Sequence, residues 1–558
     1  MRLYLRAVAL LSTLLIIGYG LVATPRFSSA TMEWLAILGI SFVLLLVALW
    51  PRLPNWMPRT QRSLVRTMIV FFVTFILITV QLVRVQVVDS AAIGARTGRH
   101  AGEVTVQDPR LRSAASEVLR GAILTSDGKV VARTTQLPDG SLLRSYPDPT
   151  TAYLAGYYSP RLYGSNNLEA AYDDVLMGRK GGNPVTQWLD GLLHRTKKGY
   201  NLTLTVDDDL QKKADALLGD RQGAVVLLDA KTGAVRAFVS KPNFDPNKLY
   251  VNEGPELDQQ VNAATAYWQQ LNGATGSPLL LKPTQGLFIP GSIFKTVTAS
   301  AALETGTAKP DTVYRDEGQL AVESRVIPEE NRPDPNRIDY SLSDAYAYSL
   351  NVVFAQVGLQ LGPENLAEYA HRFGFGQTIP FTLPVVPSQL ASDPNFLSSP
   401  AALAVTAFGQ GQLQVTPLQM ALVAEAVANN GEMMTPYLVE KTSTQDGKTL
   451  DERDPTAWQR AITAETAATM RQIMVHSVQS GYASPAQIPG YVVGGKTGTA
   501  EVGSDQQPHA WFIGFAGKDQ NNPQYVVAVL VQNGGEGVQA ALPIGRDLLQ
   551  AALQRQQP

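Results

Sequence analysis

The sequence Pro290-Gly291-Ser292-Ile293-Phe294-Lys295-Thr296-Val297-Thr298 is the most informative segment of the chain. Pro and Gly break the backbone just before an apolar run that suits a helix, and Gly306 is a plausible stop. We therefore expect Ser292 at a helix N-terminus, with Lys295 one turn further along on the same side. Both the helix dipole and the free N–H groups of a first turn favour negative charge there.

This placement suits a serine nucleophile. A neutral Lys295 amine could take the proton of the Ser292 hydroxyl, while the backbone N–H of Ser292 points at a developing oxyanion. The motif alone is weak, because Ser126-Asp127-Gly128-Lys129 has the same Ser-x-x-Lys spacing in a context that indicates a turn. The rest of the sequence must therefore decide the interpretation.

Composition narrows the classes of function. At 558 residues the chain is too long for one ordinary domain, and its net charge of −2 gives no indication of a nucleic-acid partner. It has no Cys, which excludes disulfides, thiolate metal sites and a cysteine nucleophile. The five His are scattered without metal-ligand spacing. We expect neither a metal nor another cofactor.

Three apolar stretches, at about 7–23, 34–50 and 67–87, approach the length of about 20 residues that crosses a bilayer. Arginines concentrate before the first stretch and in the 51–66 linker. The positive-inside rule therefore places both segments in the cytoplasm and everything after residue 88 outside. The first stretch could instead be a cleaved signal, which would leave the topology of the rest unchanged.

The remaining chain is predicted to be α+β. Residues 88–205 are turn-rich and indicate a small irregular α+β pedestal, resembling a dimerisation module, with a spacer or docking role. In 206–558, Gly223–Asp229 and Ala234–Ser240 indicate a β-hairpin, and helical and loop material is expected over 260–480. Further β runs are expected at Tyr491–Gly494, Ala500–Val502, Ala510–Ala516 and Tyr525–Gln532. Strands at both ends with helices between them predict one antiparallel sheet flanked by helices.

Two more short motifs follow Ser292 in chemically suitable contexts. Ser349-Leu350-Asn351 lies at a loop–helix junction, where a hydroxyl could relay a proton and an amide could hold a carbonyl. Lys496-Thr497-Gly498-Thr499 opens a β run, whose edge could pair with an extended peptide and bring a cation and two hydroxyls to its carboxylate. Gly498 would permit the backbone of the substrate to approach closely. Burial and the nearby Lys496 would both lower the pKa of Lys295.

The ordered set Ser-x-x-Lys, Ser-x-Asn and Lys-Thr-Gly resembles the penicillin-binding proteins and serine β-lactamases. The flanking sequence is most similar to class B penicillin-binding proteins of the PbpA-like kind. The segments that carry this similarity are Arg120–Ile123, Gly156-Tyr157, Leu168-Glu169, Leu202–Asp207, Gly223–Asp229, Gly409–Gly411, Val415–Ala421 and His509–Gly514. The chain differs in having three apolar N-terminal stretches where the family usually has one, and Leu281-Lys282-Pro283-Thr284 where an Asn-Arg-Ala-like stretch is common.

The resemblance implies a peptidoglycan D,D-transpeptidase with a transpeptidase domain of the serine β-lactamase-like fold. Ser292 would attack the D-Ala-D-Ala carbonyl of a donor stem peptide, with Lys295 as general base. Ser349 would pass the proton to the leaving D-Ala, and Asn351 would hold the substrate. The terminal carboxylate would bind the Lys-Thr-Gly strand through Lys496, Thr497 and Thr499, and the N–H groups of Ser292 and Thr499 would form the oxyanion hole. An acceptor amine would resolve the acyl-enzyme, and β-lactams would acylate Ser292.

The same resemblance implies a location at the bacterial plasma membrane, with an extracytoplasmic catalytic domain and a SEDS-type glycosyltransferase as partner. Two alternatives remain open on this fold: a D,D-carboxypeptidase or β-lactamase-like hydrolase, and a non-catalytic β-lactam sensor or scaffold. A sensor usually needs an intracellular signalling domain, for which the 51–66 segment is too short. Among smaller features, Glu329-Glu330 is interpreted as a solvated pair and Trp511-Phe512 as core.

Overall fold

A computed structural model of the chain describes residues 2–23, 30–85, 98–99, 105–106, 118–180, 197–252, 256–393, 395–503 and 505–555. The chain divides into two compact units, Met1–Ala114 and Ala115–Pro558. Of the pedestal predicted at 88–205, residues 88–97, 100–104, 107–117 and 181–196 lie outside the described residues.

The first unit contains three long apolar helices, Arg2–Ala23, Ala30–Leu49 and Arg59–Val83. All three are long and apolar enough to cross a membrane. Each begins before the apolar stretch predicted from sequence, because hydropathy marks only the apolar part of a helix. The third helix ends at Val83, short of the predicted residue 87; residues 86 and 87 lie outside the described part. Many of its apolar side chains, such as Phe71, are exposed, as a lipid-facing surface would be. A short strand pair, Gly98–Arg99 with Thr105–Val106, follows in the same unit.

The second unit is built around a five-stranded antiparallel sheet, which confirms the predicted fold class. Its strands come from both ends of the domain sequence, as expected. In spatial order they are Val235–Lys241, Gly223–Asp229, Tyr525–Val531, His509–Gly517 and Val492–Ala500. The β run predicted at Tyr491–Gly494 is part of the longer strand Val492–Ala500, in which Lys496-Thr497-Gly498 is interior. Of the run predicted at Ala500–Val502, only Ala500 belongs to a strand.

Helices cover both faces of this sheet. Alternate residues of the strand Gly223–Asp229 belong to different apolar clusters: Val226 and Leu228 pack in the main core, and Val225 and Leu227 pack in a second core. This alternation follows from the period of two in a strand, and it explains why the strand reads as a continuous apolar run. The helices Asp208–Leu218 and Leu542–Arg555 contribute to the second core, whereas Lys295–Glu304 and Pro417–Ala428 contribute to the main core.

The other helices of the second unit run through and around these cores. The α-helices are Pro149–Ala155, Asn167–Ala171, Asp173–Leu176, Leu257–Gly273, Lys282–Gln285, Leu342–Ala347, Asn351–Leu361, Pro363–Arg372, Pro400–Ala407, Ala464–Ser480 and Gly537–Ala540. Short 3-10 helices are found at Pro246–Leu249, Gly291–Phe294, Phe396–Ser398 and Ser484–Ala486. Small antiparallel strand pairs join Tyr158–Ser159 to Gly164–Ser165, Val313–Arg315 to Asp339–Ser341, Gln319–Val322 to Arg325–Pro328, and Glu432–Met434 to Ala457–Arg460. Val118–Leu119 and Lys197–Lys198 form a parallel pair.

A six-stranded sheet forms the pedestal, and two of its strands come from residues 439–452. In spatial order the strands are Thr449–Glu452, Val439–Ser443, Asn201–Leu204, Ile123–Leu124, Val130–Gln136 and Leu142–Ser145. The expectation of helix and loop throughout 260–480 is wrong here. Strands as short as these, with mixed polarity and one partly exposed face, give too little periodicity to be recognised.

A buried ion cluster holds the pedestal together. The Glu169 side chain is 0% exposed, and its carboxylate accepts hydrogen bonds from Arg120 Nε at 2.6 Å and Arg144 Nε at 2.7 Å. The hydroxyl of Tyr146 donates to the same carboxylate. Burial alone would raise the pKa of Glu169, but the two arginines hold it below its ordinary value. The stability that the cluster contributes is therefore present at neutral pH and is lost as the pH falls through that lowered pKa.

Replacing Glu169 by Gln removes the carboxylate that Arg144 pairs with and leaves Arg120 paired only with the partly exposed Asp173. We expect E169Q to lower the free energy of unfolding by about 3–5 kcal/mol at neutral pH, the usual cost of breaking a buried pair. The melting temperature of the full-length protein in detergent would report the loss. E317Q is the control, because the Arg315–Glu317 pair has side chains that are 65% and 66% exposed and contributes at most about 1 kcal/mol. Equal melting temperatures for E169Q and E317Q would contradict the account.

Candidate active site

The turn that carries Ser292 is locked in place by close backbone contacts. Residues Gly291–Phe294 form a 3-10 turn that continues into the helix Lys295–Glu304, so the predicted helix begins with a tighter turn. Gly291 has φ of +58°, and a Cβ added there would lie 2.7 Å from the carbonyl oxygen of Thr499. Its N–H donates to the Gly409 carbonyl at 3.0 Å. Only Gly fits at position 291, because both the positive φ and the close contact exclude a side chain.

The Lys-Thr-Gly segment lies against this turn on an edge strand of the main sheet. Among the described residues, the strand Val492–Ala500 pairs with the neighbouring strand His509–Gly517 on one side only. An edge without a partner strand is where an extended peptide can add to a sheet. A Cβ at Gly498 would lie 2.9 Å from the Pro290 carbonyl oxygen, so this glycine allows the strand to approach the nucleophile turn.

Ser349 sits in a strained turn that precedes the helix Asn351–Leu361. Its φ is +61°, a conformation that is uncommon for a residue other than Gly. The turn is held by hydrogen bonds from the Ser349 N–H to the Tyr346 carbonyl and from the Leu350 N–H to the Ala345 carbonyl. Strain of this kind persists where the surroundings over-determine the conformation, commonly at functional sites.

Two buried lysines converge on Ser349. Lys295 Nζ lies 2.6 Å from the Ser349 carbonyl oxygen, 3.3 Å from Ser349 Oγ and 2.8 Å from Asn351 Oδ1. Lys496 Nζ donates to Ser349 Oγ at 2.9 Å and to the Thr497 carbonyl at 2.9 Å. The side chains of Lys295 and Lys496 are 0% and 1% exposed. The structure thus brings together the lysines of two motifs and the polar residues of the third.

Burial changes the acid–base character of both lysines. It lowers the pKa of Lys295 to about 7, against the opposing field of the Glu329 carboxylate. Burial also lowers the pKa of Lys496 well below its ordinary value, and repulsion from Lys295 lowers it further. The prediction that burial lowers the pKa of Lys295 agrees with this result. The repulsion between the two ammonium groups, however, lowers the pKa of Lys496 and not that of Lys295.

The remaining predicted residues line the open side of the cluster. Ser292 is partly exposed, and its hydroxyl makes no hydrogen bond within the described residues. Thr497 and Thr499 are also partly exposed. The Thr499 hydroxyl donates to Glu536 Oε2 at 3.1 Å and accepts from the Gly537 N–H at 3.2 Å. The site therefore combines the partly exposed hydroxyl of Ser292 with the two partly exposed threonine hydroxyls of the edge strand and the two buried lysine amines.

Sequence reasoning missed three residues of this region. Glu329 is partly buried and faces the lysine cluster, so its interpretation as half of a solvated pair is wrong. The Asn331 side chain donates to the Ser349 carbonyl at 3.2 Å. Glu536 contacts Thr499 from a loop that follows the strand Tyr525–Val531. No spacing rule links these positions to the motifs, because only the three-dimensional packing of loops brings them there.

His, Asp and Glu side chains in the described part of the chain form no group of three or more suited to a metal ion. The predicted core residues Trp511 and Phe512 are both 0% exposed. The Ser126-Lys129 segment forms a turn in which the Thr125 N–H donates to the Lys129 carbonyl, so it offers no second nucleophile site.

Comparison with known proteins gives a consistent result. Residues 223–550 match the family model of the penicillin binding protein transpeptidase domain, and residues 120–202 match that of the penicillin binding protein A dimerisation domain. The chain is 36% identical over 460 residues to the peptidoglycan D,D-transpeptidase PbpA of Mycolicibacterium smegmatis, covering 78% of this chain and 89% of that protein. PbpA of Mycobacterium tuberculosis is 34% identical over 458 residues, with the same coverage.

Solved structures are similar over most of the chain. A ceftriaxone acyl-enzyme complex of penicillin-binding protein A from M. tuberculosis superimposes with a TM-score of 0.72 at 31% identity, covering 79% of this chain and 100% of that one. A D,D-transpeptidase domain from Eggerthella lenta superimposes with a TM-score of 0.68 at 32% identity, with the same coverage.

Proposed function

The chain belongs to the class B penicillin-binding proteins and is a peptidoglycan D,D-transpeptidase similar to PbpA, and we propose that Ser292 carries its acyl-enzyme. The observation that supports this assignment is the convergence of two buried lysines on Ser349 beside a partly exposed Ser292. We further propose the division into membrane helices (1–87), pedestal (88–205) and transpeptidase domain (206–558).

Lys295 is proposed as the general base for acylation. With a pKa of about 7, a substantial fraction of its amine is neutral at neutral pH. A neutral amine has two N–H groups, and the Ser349 carbonyl and Asn351 Oδ1 can accept both at the two shorter distances. The lone pair is then free to take the Ser292 proton as the hydroxyl oxygen bonds to the carbonyl carbon of the penultimate D-Ala. The N–H groups of Ser292 and Thr499 would stabilise the oxyanion.

Ser349 would relay this proton to the leaving group. Once Lys295 has taken the Ser292 proton, the Ser349 hydroxyl oxygen can accept from both lysines, which leaves its own proton free to point into the site. As the tetrahedral intermediate collapses, the C–N bond breaks, Ser349 protonates the leaving D-Ala nitrogen, and Lys295 replaces the Ser349 proton. The amine of an acceptor stem peptide would then attack the acyl-enzyme, and the same chain would carry its proton in the reverse direction.

The donor peptide would lie along the free edge of the strand Val492–Ala500. Main-chain pairing there would align it, and the close packing at Gly498 would bring it against the Ser292 turn. The terminal carboxylate would meet the hydroxyls of Thr497 and Thr499 and the amine of Lys496, whose protonated form an adjacent carboxylate would favour. For this, Thr499 would turn its hydroxyl from Glu536 to the carboxylate. A β-lactam carries a carboxylate in the corresponding place, so acylation of Ser292 by penicillins is expected.

Intact mass of the full-length protein after benzylpenicillin tests the nucleophile. We expect a long-lived adduct that S292A lacks while retaining its melting temperature, together with a cross-linked product when a D-Ala-D-Ala donor and an amine acceptor are supplied. An adduct that clears within seconds would instead indicate a β-lactamase-like hydrolase. A stable adduct without transpeptidation or release of D-Ala would indicate a sensor. An equal adduct on S292A would contradict the assignment of Ser292.

The three apolar helices support a location at the bacterial plasma membrane. With arginines concentrated before the first helix and in the 51–66 linker, the transpeptidase domain would lie outside the cytoplasm. There it would meet stem peptides on growing glycan, and we propose a SEDS-type glycosyltransferase as the polymerising partner.

Copurification of such a polymerase with the full-length protein, extracted in mild detergent from its native membranes, tests this partnership. Its consistent absence from a preparation that retains transpeptidase activity would contradict the proposal. A membrane protein of unrelated function, recovered in comparable amount, would show that the association is not specific.

A further inference from the structure

The helix that begins at Asn351 lacks a cap of its own. Leu350 occupies its N-cap position and has no side-chain acceptor, and the first turn contains no acidic residue. A helix start leaves N–H groups without intrahelical partners. Here the acceptor comes from a distant part of the chain, because Glu329 Oε2 accepts from the Val352 N–H at 2.9 Å.

The segment around Glu329 also supports the Ser349 turn. Glu329 Oε1 accepts from the Asn331 N–H at 3.0 Å, which folds the segment back. The Asn331 side chain then donates to the Ser349 carbonyl at 3.2 Å, the same oxygen that Lys295 Nζ contacts. From the other side, the Tyr482 hydroxyl donates to the Asn331 carbonyl at 2.8 Å. The Glu329 carboxylate therefore holds both the start of the Asn351 helix and, through Asn331, the backbone carbonyl of Ser349.

Glu329 also affects the charge balance of the site. Protonation of both Lys295 and Lys496 would place two positive charges in a buried site against the same serine, which is costly without a counter-charge. Glu329 is the carboxylate whose field favours the charged form of Lys295. Within the part of the chain that the structure describes, the other ionisable groups that interact with Glu329 are Asp316 and Tyr482, neither of which supplies positive charge.

We propose that Glu329 is a positioning residue of this active site: its carboxylate fixes the start of the Asn351 helix and balances the charge of the buried Lys295 when that amine is protonated. It acts through Val352, Asn331 and Lys295, and does not touch the reacting atoms. The proposal extends the function assigned to Ser292 and depends on it.

The test compares E329Q with wild type in the pH dependence of acylation by benzylpenicillin, using the full-length protein. Gln keeps the shape of Glu but removes the charge that favours protonated Lys295. We therefore expect the acid limb of the profile to move to lower pH by about one unit, the lower end of the effect of a nearby opposite charge. A purely structural role would lower the rate without moving the limb.

The neighbouring E330Q is the matched control, because Glu330 is exposed and its substitution should leave the profile unchanged. E329D is the second variant: it retains the charge but shortens the reach to Val352, so we expect an unmoved limb and a plateau lowered severalfold. An E329Q limb that coincides with wild type, or an equal shift in E330Q, would overturn the proposal. If E329Q does not fold, an E329D plateau equal to wild type would overturn it. If S292A is acylated as well, the assignment of Ser292 fails instead.

Discussion

The burial of two lysine ammonium groups against one serine hydroxyl is the constraint on which the rest of the site depends. Water normally stabilises an ammonium, so enclosing Lys295 and Lys496 shifts both toward the neutral form. That shift turns Lys295 into a usable base near neutral pH. It also requires the surroundings to supply acceptors, which the Ser349 turn and Asn351 provide. The geometry that makes the lysine reactive therefore also determines which residues must surround it.

Small residues allow the three motifs to meet. Gly291, Gly409 and Gly498 lie where a Cβ would fall within 3 Å of neighbouring backbone. They allow the backbone of the Ser292 turn to pack directly against the backbone of the loop at Gly409 and of the strand Val492–Ala500. The main sheet supplies the rigid support, because helices bury both of its faces. The pedestal is stabilised differently, by the buried Glu169 and its two arginines.

Sequence alone was sufficient where local pattern and chemistry agree. The apolar run Gly223–Asp229, the turn before Ser292 and the loop–helix junction at Ser349 all lie in the predicted contexts. It failed where partners are far apart in the chain. Glu329 was interpreted as a solvated acid because its hydrogen bond with the Val352 N–H and its charge interaction with Lys295 arise only when separate loops pack together. The strand Val439–Ser443 was missed because its pairing with Asn201–Leu204, more than 200 residues away, cannot be inferred from its short pattern. Thr449–Glu452 pairs locally with Val439–Ser443, but its four mostly exposed residues show no alternation of polar and apolar side chains.

The most direct test of the central claim is the pH dependence of the acylation rate of wild-type protein by benzylpenicillin, followed by intact mass at Ser292. Because the base is the neutral amine, the rate should rise with pH and level off above an apparent pKa near 7, the value that burial gives Lys295. A rate that keeps rising toward the ordinary lysine pKa of about 10.4 would contradict the account, because it would mean that the buried environment does not prepare the base.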